Sequence, residues 1–403
     1  MRRYFAAVAA VIATLILSLP LHASFKEDVK QFVAASGVPS ESLALLVIDL
    51  SDGKTIVSHN ESNPLIPASV TKCVTIASLL EKCGPDWRYN TDVWLTAPVC
   101  EGKVAGDIVV QGSGDPSLGA SCEPQSPDIV VQIVEALKDK KVSEIEGRII
   151  LDSSIFPGPA VPPSWAAGDL RQSYGTGCHG INFRSNASGK ASVSNPAGVL
   201  EAAIRNALAN AGISLGGKSL KEEERHLLVR HASAPIDEIM RSCMMRSDNL
   251  FAEAMLRTYA HLCGRPATPE EGARLEMEYW KKHKLPMKGV ELFDGSGLSR
   301  SDRLTAEFLA GVLKKMSSDV IYASFFPLAG QEGTLRKFMA GTPLDSYLAM
   351  KTGSMTGIQC YAGYMLDDDY APTHVVVVMA NNMKDRARLR SALQTLLLKI
   401  FSI

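Results

Sequence analysis

The chain carries no excess of charge of either sign. Its 42 Lys and Arg residues face 43 Asp and Glu residues, for a formal net charge of −1. That balance argues against a nucleic-acid partner or an anionic membrane surface. Beyond the first twenty or so residues, no apolar run is long enough to cross a bilayer, so any membrane association is at most peripheral. There is no internal repeat. There is also no His-Glu-x-x-His, no paired-cysteine zinc spacing and no Gly-x-Ser-x-Gly elbow. Zinc hydrolysis and a histidine-driven serine nucleophile therefore lack their usual signatures, and nothing calls for a metal or cofactor. What remains is ordinary globular composition, 46% hydrophobic and 21% charged, over 403 residues, enough for two or more cored domains.

The first residues read as an address. Met1-Arg2-Arg3 is a positive opening, Tyr4 to Leu19 is almost wholly apolar, and Pro20-Leu-His-Ala23 ends in a small residue. This pattern predicts a secretory signal over 1–23, cleaved near Ala23, and a mature protein in an exported compartment, an uncleaved N-terminal anchor being the alternative. Eight cysteines in an exported chain could form up to four disulfides, with the pairing open. Cys73, beside Lys72 on an expected buried helix, reads as a packing residue.

Three motifs follow in order: Ser69-Val-Thr-Lys72, Ser247-Asp-Asn249 and Lys351-Thr-Gly-Ser354. Each is weak alone. A second Ser-x-x-Lys, Ser51 to Lys54, falls in a predicted Asp-Gly hairpin turn, and Ser58 to Asn60 repeats Ser-x-Asn at a strand end. Gly212 to Ser219 fits a phosphate loop but follows a helix, and Gly175 to Gly180 fits a dinucleotide fingerprint without its strand. The ordered trio supplies a nucleophile, two amines, a relay hydroxyl and a substrate-binding strand, the equipment of serine acyl transfer without histidine. Residues three apart on a helix share a face, so Ser69 and Lys72 can touch, and the helix dipole favours alkoxide character at Ser69. Lys72 must be neutral to take the proton. A fall of about three units from a lysine's usual value costs roughly 4 kcal/mol, from burial and from the ammonium of Lys351. Ser247 would pass the proton to the leaving amine, and Asn249 would hold substrate amide and Lys72. The amides of Ser69 and Ser354 would form an oxyanion hole across Gly353, with Thr352, Ser354 and Lys351 suiting a terminal carboxylate.

Periodicity places helices at 25–36, 67–82, 128–140, 197–211, 236–246, 250–263, 305–316 and 385–401. Strands are expected at 43–50, 55–58, 92–95, 106–111, 148–151, 348–351, 358–366 and 374–379. Strands near both chain ends suggest one antiparallel sheet flanked by helices, an α/β (α+β) fold. The expected domains are 24–92 with 236–403, interrupted by an insertion over 93–235.

Further blocks carry a resemblance over nearly all of the mature chain: Gly112 to Leu118, Leu151 to Phe156, Asp294-Gly-Ser-Gly-Leu-Ser-Arg300 and Leu328 to Leu335. With the trio, they resemble the penicillin-binding D-alanyl-D-alanine carboxypeptidase/endopeptidase family, the class C low-molecular-mass type of serine peptidase. The resemblance implies a transpeptidase-like domain with an insertion between the first two motifs. It implies Ser69 as acyl-ester nucleophile, Lys72 as proton acceptor, and Ser247, Asn249 and Lys351 in the site. It implies peptidoglycan stem peptides as substrate and β-lactams as inhibitors. It also implies a subsite for the stem's diamino acid, at Asp169, Tyr174, Arg300 and Thr356, with Asp169 suiting an ammonium and Arg300 a carboxylate. A β-lactamase or related esterase, and a non-catalytic wall-binding protein, are the alternatives. Carboxypeptidase or endopeptidase preference and the oligomeric state stay open.

Overall fold

The structure, a computed structural model, describes residues 25–401 apart from 123, 125 and 219–223. The expected signal, 1–23, lies outside the described residues. Helix α1 (Lys26–Ser36) closes at Gly37, which sits in the left-handed region that glycine adopts without strain. Strands β1 (Leu43–Asp49) and β2 (Thr55–His59) pair antiparallel around the Asp52-Gly53 turn. A tight turn over Ala68–Thr71 feeds helix α2 (Lys72–Cys83), so Ser69 precedes the regular helix rather than lying inside it. Next come β3 (Asn90–Leu95), β4 (Ile108–Gln111), α3 (Ile129–Asp139), β5 (Ile149–Asp152), α4 (Pro196–Asn210) and β6 (His226–Ala232). The chain then runs through α5 (Ile236–Arg246), α6 (Asn249–Leu262), α7 (Pro269–Lys282) and α8 (Ala306–Met316). It finishes with β7 (Leu348–Met355), β8 (Ile358–Leu366), β9 (Pro372–Ala380) and α9 (Arg386–Ile400).

Strands from both ends of the chain build one antiparallel sheet in the order β7-β8-β9-β1-β2. Its centre explains the apolar run at 375–380. Val375, Val377 and Met379 pack with Ala44 and Leu46 against the layer that contains α2, α5, α6 and α8. Val376, Val378 and Ala380 pack with Leu43, Leu45 and Val47 toward α1 and α9 on the other side. Both faces are buried, so period-two alternation sorts apolar residues between two cores instead of separating apolar from polar. Helix α9 is tied to α1 by Arg388, which donates to the carbonyl of Ala35 at 2.7 Å, and by Lys399 to Asp28 at 2.6 Å.

Between α2 and α5 lies a second four-stranded sheet, ordered β6-β3-β4-β5, covered by α3 and α4. Its loops reach back to the first sheet's helices: Trp165 donates to Asp294 at 2.7 Å and Arg257 to the Pro159 carbonyl at 2.5 Å. The overall architecture is thus mixed α/β, an antiparallel sheet flanked by helices.

The decoy motifs fall apart here. Lys54 pairs with Asp52 on the surface of the hairpin turn. Gly212 adopts a φ of 74° just beyond α4, Ser214–Leu215 forms a strand after it, and Lys218 pairs with Glu146, while Ser219 lies outside the described residues. All eight cysteines are free thiols, where the sequence allowed up to four disulfides. Cys73, Cys178, Cys243 and Cys360 are spent on packing, each fully buried. Among the described residues no helix is long and apolar enough to cross a membrane.

Candidate active site

The nucleophile turn, the α5–α6 junction and the edge strand β7 meet at a cleft of about 430 Å³. Its walls include Ser69, Ser247, Asn249, Thr352, Ser354, Thr356, Arg300, Asp169 and Tyr174. Lys72 and Lys351 lie behind this surface, fully buried. Gly353 lies where β7 crosses the turn. A Cβ there would sit 2.5 Å from the Pro67 carbonyl oxygen and 3.1 Å from the Ser69 nitrogen, so only glycine lets the strand come this close.

Lys72 has three partners. Its Nζ lies 2.7 Å from Asn249 Oδ1, 2.7 Å from the Ser296 carbonyl oxygen and 3.0 Å from Ser69 Oγ. The first two accept only. A neutral amine has two N–H bonds and one lone pair, so once those acceptors are served, the lone pair faces the Ser69 hydroxyl. Burial pushes Lys72 below the ordinary lysine range, opposed in part by nearby acidic groups including Asp294 and Glu253. Lys351 donates to Ser247 Oγ at 2.9 Å and to the Thr352 carbonyl at 2.8 Å. Burial, and then the charge of Lys72, bring it down to about 7. The sequence assigned the neutralising of Lys72 to burial together with the ammonium of Lys351. Burial is the largest cause at both amines, because neither reaches solvent, and the groups that act on Lys72 after it are acidic ones that oppose the fall.

Ser247 caps α5 with φ 60° and ψ 41°, a left-handed conformation that costs a non-glycine residue about 1–2 kcal/mol. Asp248 then starts α6, its carboxylate accepting from the Phe251 N–H at 3.2 Å. This reversal turns Ser247 toward Lys351 while leaving Asn249 on α6 to face Lys72.

The diamino-acid residues expected from the resemblance line the same cleft. Tyr174 donates to Asp169 at 2.9 Å, and the Tyr174 carbonyl accepts from Asn249 Nδ2 at 2.8 Å, joining this loop to the second motif. Arg300 donates to the Thr356 backbone carbonyl at 3.3 Å, so Thr356 contributes main chain to that contact.

Several cleft residues carried no role in the sequence reading. Thr334 accepts from the Thr352 hydroxyl at 2.7 Å, and Ser354 donates to Gln359 at 2.6 Å. Gly297, Leu298 and Met355 complete the wall. Ser296 acts through its backbone, which no side-chain pattern reveals. The Asp294 to Arg300 block was visible as a signature, and its geometry gives the reason. Asp294 accepts from the N–H groups of Gly297 and Ser299 at 2.6 and 2.7 Å, folding the loop around the Lys72 contact.

The chain is similar to several known proteins. The chain is 27% identical to carboxypeptidase DacB of Mycolicibacterium smegmatis over 361 residues, covering 83% of this chain and 76% of that one. It is 21% identical to the D-alanyl-D-alanine carboxypeptidase DacB of Haemophilus influenzae over 400 residues, 80% and 82% of the two chains. The crystal structure of penicillin binding protein 4 from Haemophilus influenzae shares the fold, with a TM-score of 0.82 at 20% identity over 93% of this chain and 99% of that one. The same protein has also been solved with a β-lactam bound, and here the TM-score is 0.74 at 20% identity, over 94% and 99% of the chains. The sequence model of the D-Ala-D-Ala carboxypeptidase 3 (S13) family matches residues 25–188 and 176–399, and the chain belongs to that family.

Proposed function

We propose that this serine peptidase works in the periplasm, after loss of residues 1–23, on the D-alanyl-D-alanine ends or cross-links of peptidoglycan stem peptides. The observation that carries the mechanism is the three-way contact of Lys72 with Asn249, Ser296 and Ser69. Neutral Lys72 takes the proton of Ser69 Oγ, which attacks the carbonyl carbon of the penultimate D-alanine. The oxyanion is received by the amides of Ser69 and Ser354, a reading supported by the close approach of Gly353 to the Ser69 nitrogen. Collapse of the tetrahedral adduct breaks the peptide bond. The leaving amine takes its proton through the Ser247 hydroxyl, which hydrogen-bonds Lys351. Water then hydrolyses the ester on Ser69. Thr352, Ser354 and Lys351 favour a carboxylate beyond the scissile bond, while Asp169, Tyr174, Arg300 and Thr356 receive the diamino-acid side chain. A β-lactam acylates Ser69 by the same steps, but its leaving nitrogen stays tethered.

The test is mass spectrometry of purified peptidoglycan fragments incubated with the mature chain and with Ser69→Ala. Monomers that lose one alanine report carboxypeptidase action, and disappearing cross-linked dimers report endopeptidase action. If neither occurs, or if the Ser69→Ala protein matches wild type, the proposal fails.

A further inference from the structure

Helix α6 carries two acidic or amide side chains on one face, four residues apart: Asn249, which touches Lys72 directly, and Glu253, which does not. Glu253 is 1% exposed. Its Oε1 accepts from the N–H of Gly295 at 3.1 Å and from the N–H of Ser296 at 2.9 Å. The carbonyl of that same Ser296 accepts from Lys72 at 2.7 Å. From the opposite side, Thr75 on α2 donates to the Gly295 carbonyl at 2.9 Å. The Gly295–Ser296 peptide, adjoining the Ser296 carbonyl that holds Lys72, is therefore clamped between the helix of the second motif and the helix of the first.

A buried carboxyl is expensive to keep. Glu253 Oε2 has no hydrogen-bond partner among the described residues, and the neighbouring groups add to the cost: Asp294 and Asp302 on the loop and Glu276 on α7. Arg257, one turn on along α6, and Lys72 act in the opposite sense. Burial, then Asp294, push Glu253 up to about 8. A side chain retained against such odds needs a reason, and packing alone would be met by a leucine or methionine.

We propose that Glu253 is a positioning residue for nucleophile activation, holding the Gly295–Ser296 amides so that the Ser296 carbonyl keeps the Lys72 lone pair on Ser69. The inference rests on the reading of Lys72 as the proton acceptor. Two N–H bonds must be taken by fixed acceptors for the lone pair to have one direction. Asn249 supplies one acceptor and the Glu253-held carbonyl supplies the other. Losing either lets the amine rotate among Ser69, Asn249 and the cleft.

The test uses the mature chain and benzylpenicillin, with the acylation rate constant k2 separated from the noncovalent Kd. Glu253→Gln keeps an oxygen for both amides, whereas Glu253→Asp withdraws it by one methylene and keeps the acid. The expected result is k2 within about threefold of wild type for Gln and about 10- to 100-fold lower for Asp, with Kd unchanged in both. Lys72→Met is measured alongside and should not acylate. Three outcomes overturn the proposal: Asp acylating as fast as Gln, Gln as slow as Asp, or the loss appearing in Kd. If Lys72→Met acylates normally, the reading of Lys72 itself falls. If only Lys72→Met is impaired, that reading stands and the role of Glu253 falls.

Discussion

Replacing Lys351 by methionine should stabilise the fold in a pH-dependent way. Lys351 is fully buried, and burial plus the charge of Lys72 lower it from 10.5 to about 7. Below pH 7 both folded and unfolded chains hold the proton, and the folded chain bears the whole cost of burying it. Between 7 and 10.5 only the unfolded chain stays protonated, so stability rises with pH across that window. The gap corresponds to about 5 kcal/mol of destabilisation at pH 6, falling to about 2 kcal/mol at pH 9. Methionine has similar length and no proton to lose. It strands Ser247 Oγ and the Thr352 carbonyl, but that cost does not depend on pH. Urea unfolding of both proteins at pH 6 and pH 9 isolates the titration of Lys351 and of its coupling to Lys72, because groups remote from Lys351 cancel. The stability difference, mutant minus wild type, should favour the mutant by about 2.5 kcal/mol more at pH 6 than at pH 9. A difference that stays constant within about 1 kcal/mol across the two pH values would refute the assignment of a depressed, buried amine.

Gly353→Ala places a methyl 2.5 Å from the Pro67 carbonyl; thermal melting and penicillin labelling should show about 1–3 kcal/mol of destabilisation and slowed acylation together. Arg300→Ala should lower kcat/KM for stem peptides bearing a side-chain carboxylate by about 10- to 100-fold, as expected for a lost charged hydrogen bond, and leave benzylpenicillin acylation nearly unchanged. Thr268 accepts from the Glu271 N–H at 3.2 Å at the start of α7, so Thr268→Ala should cost about 1 kcal/mol in chemical denaturation with k2 unaffected.

The sheet was readable because its strands obey simple rules: the 375–380 run, the Asp52-Gly53 turn and the edge-strand motif at 351–354 each announce themselves. So did the convergence of distant segments, since the trio has chemical meaning only if it meets. Helix α7 has no clear apolar periodicity, although its end signals are present. Thr268-Pro269-Glu-Glu271 is a cap, a first-turn proline and two acids, and Lys281-Lys282 suits the other end. Its apolar periodicity is weak because the buried face is made of Pro269, Gly272, Ala273, Glu276 and Trp280, small residues and one buried acid with a single large apolar side chain. The left-handed Ser247 was equally hidden, since serine gives no warning of positive φ where glycine or asparagine would. The Ser296 carbonyl belongs to the backbone and leaves no residue-type trace. Composition and compartment allowed the cysteines disulfides, but which element each one packs into is decided by the tertiary fold.

The most direct measurement is intact-mass and peptide-mapping spectrometry after brief exposure to benzylpenicillin. One penicilloyl adduct is expected, on the peptide containing Ser69, and none on the Ser69→Ala protein. An adduct on any other residue, or an unmodified wild-type chain at saturating penicillin, would contradict the account.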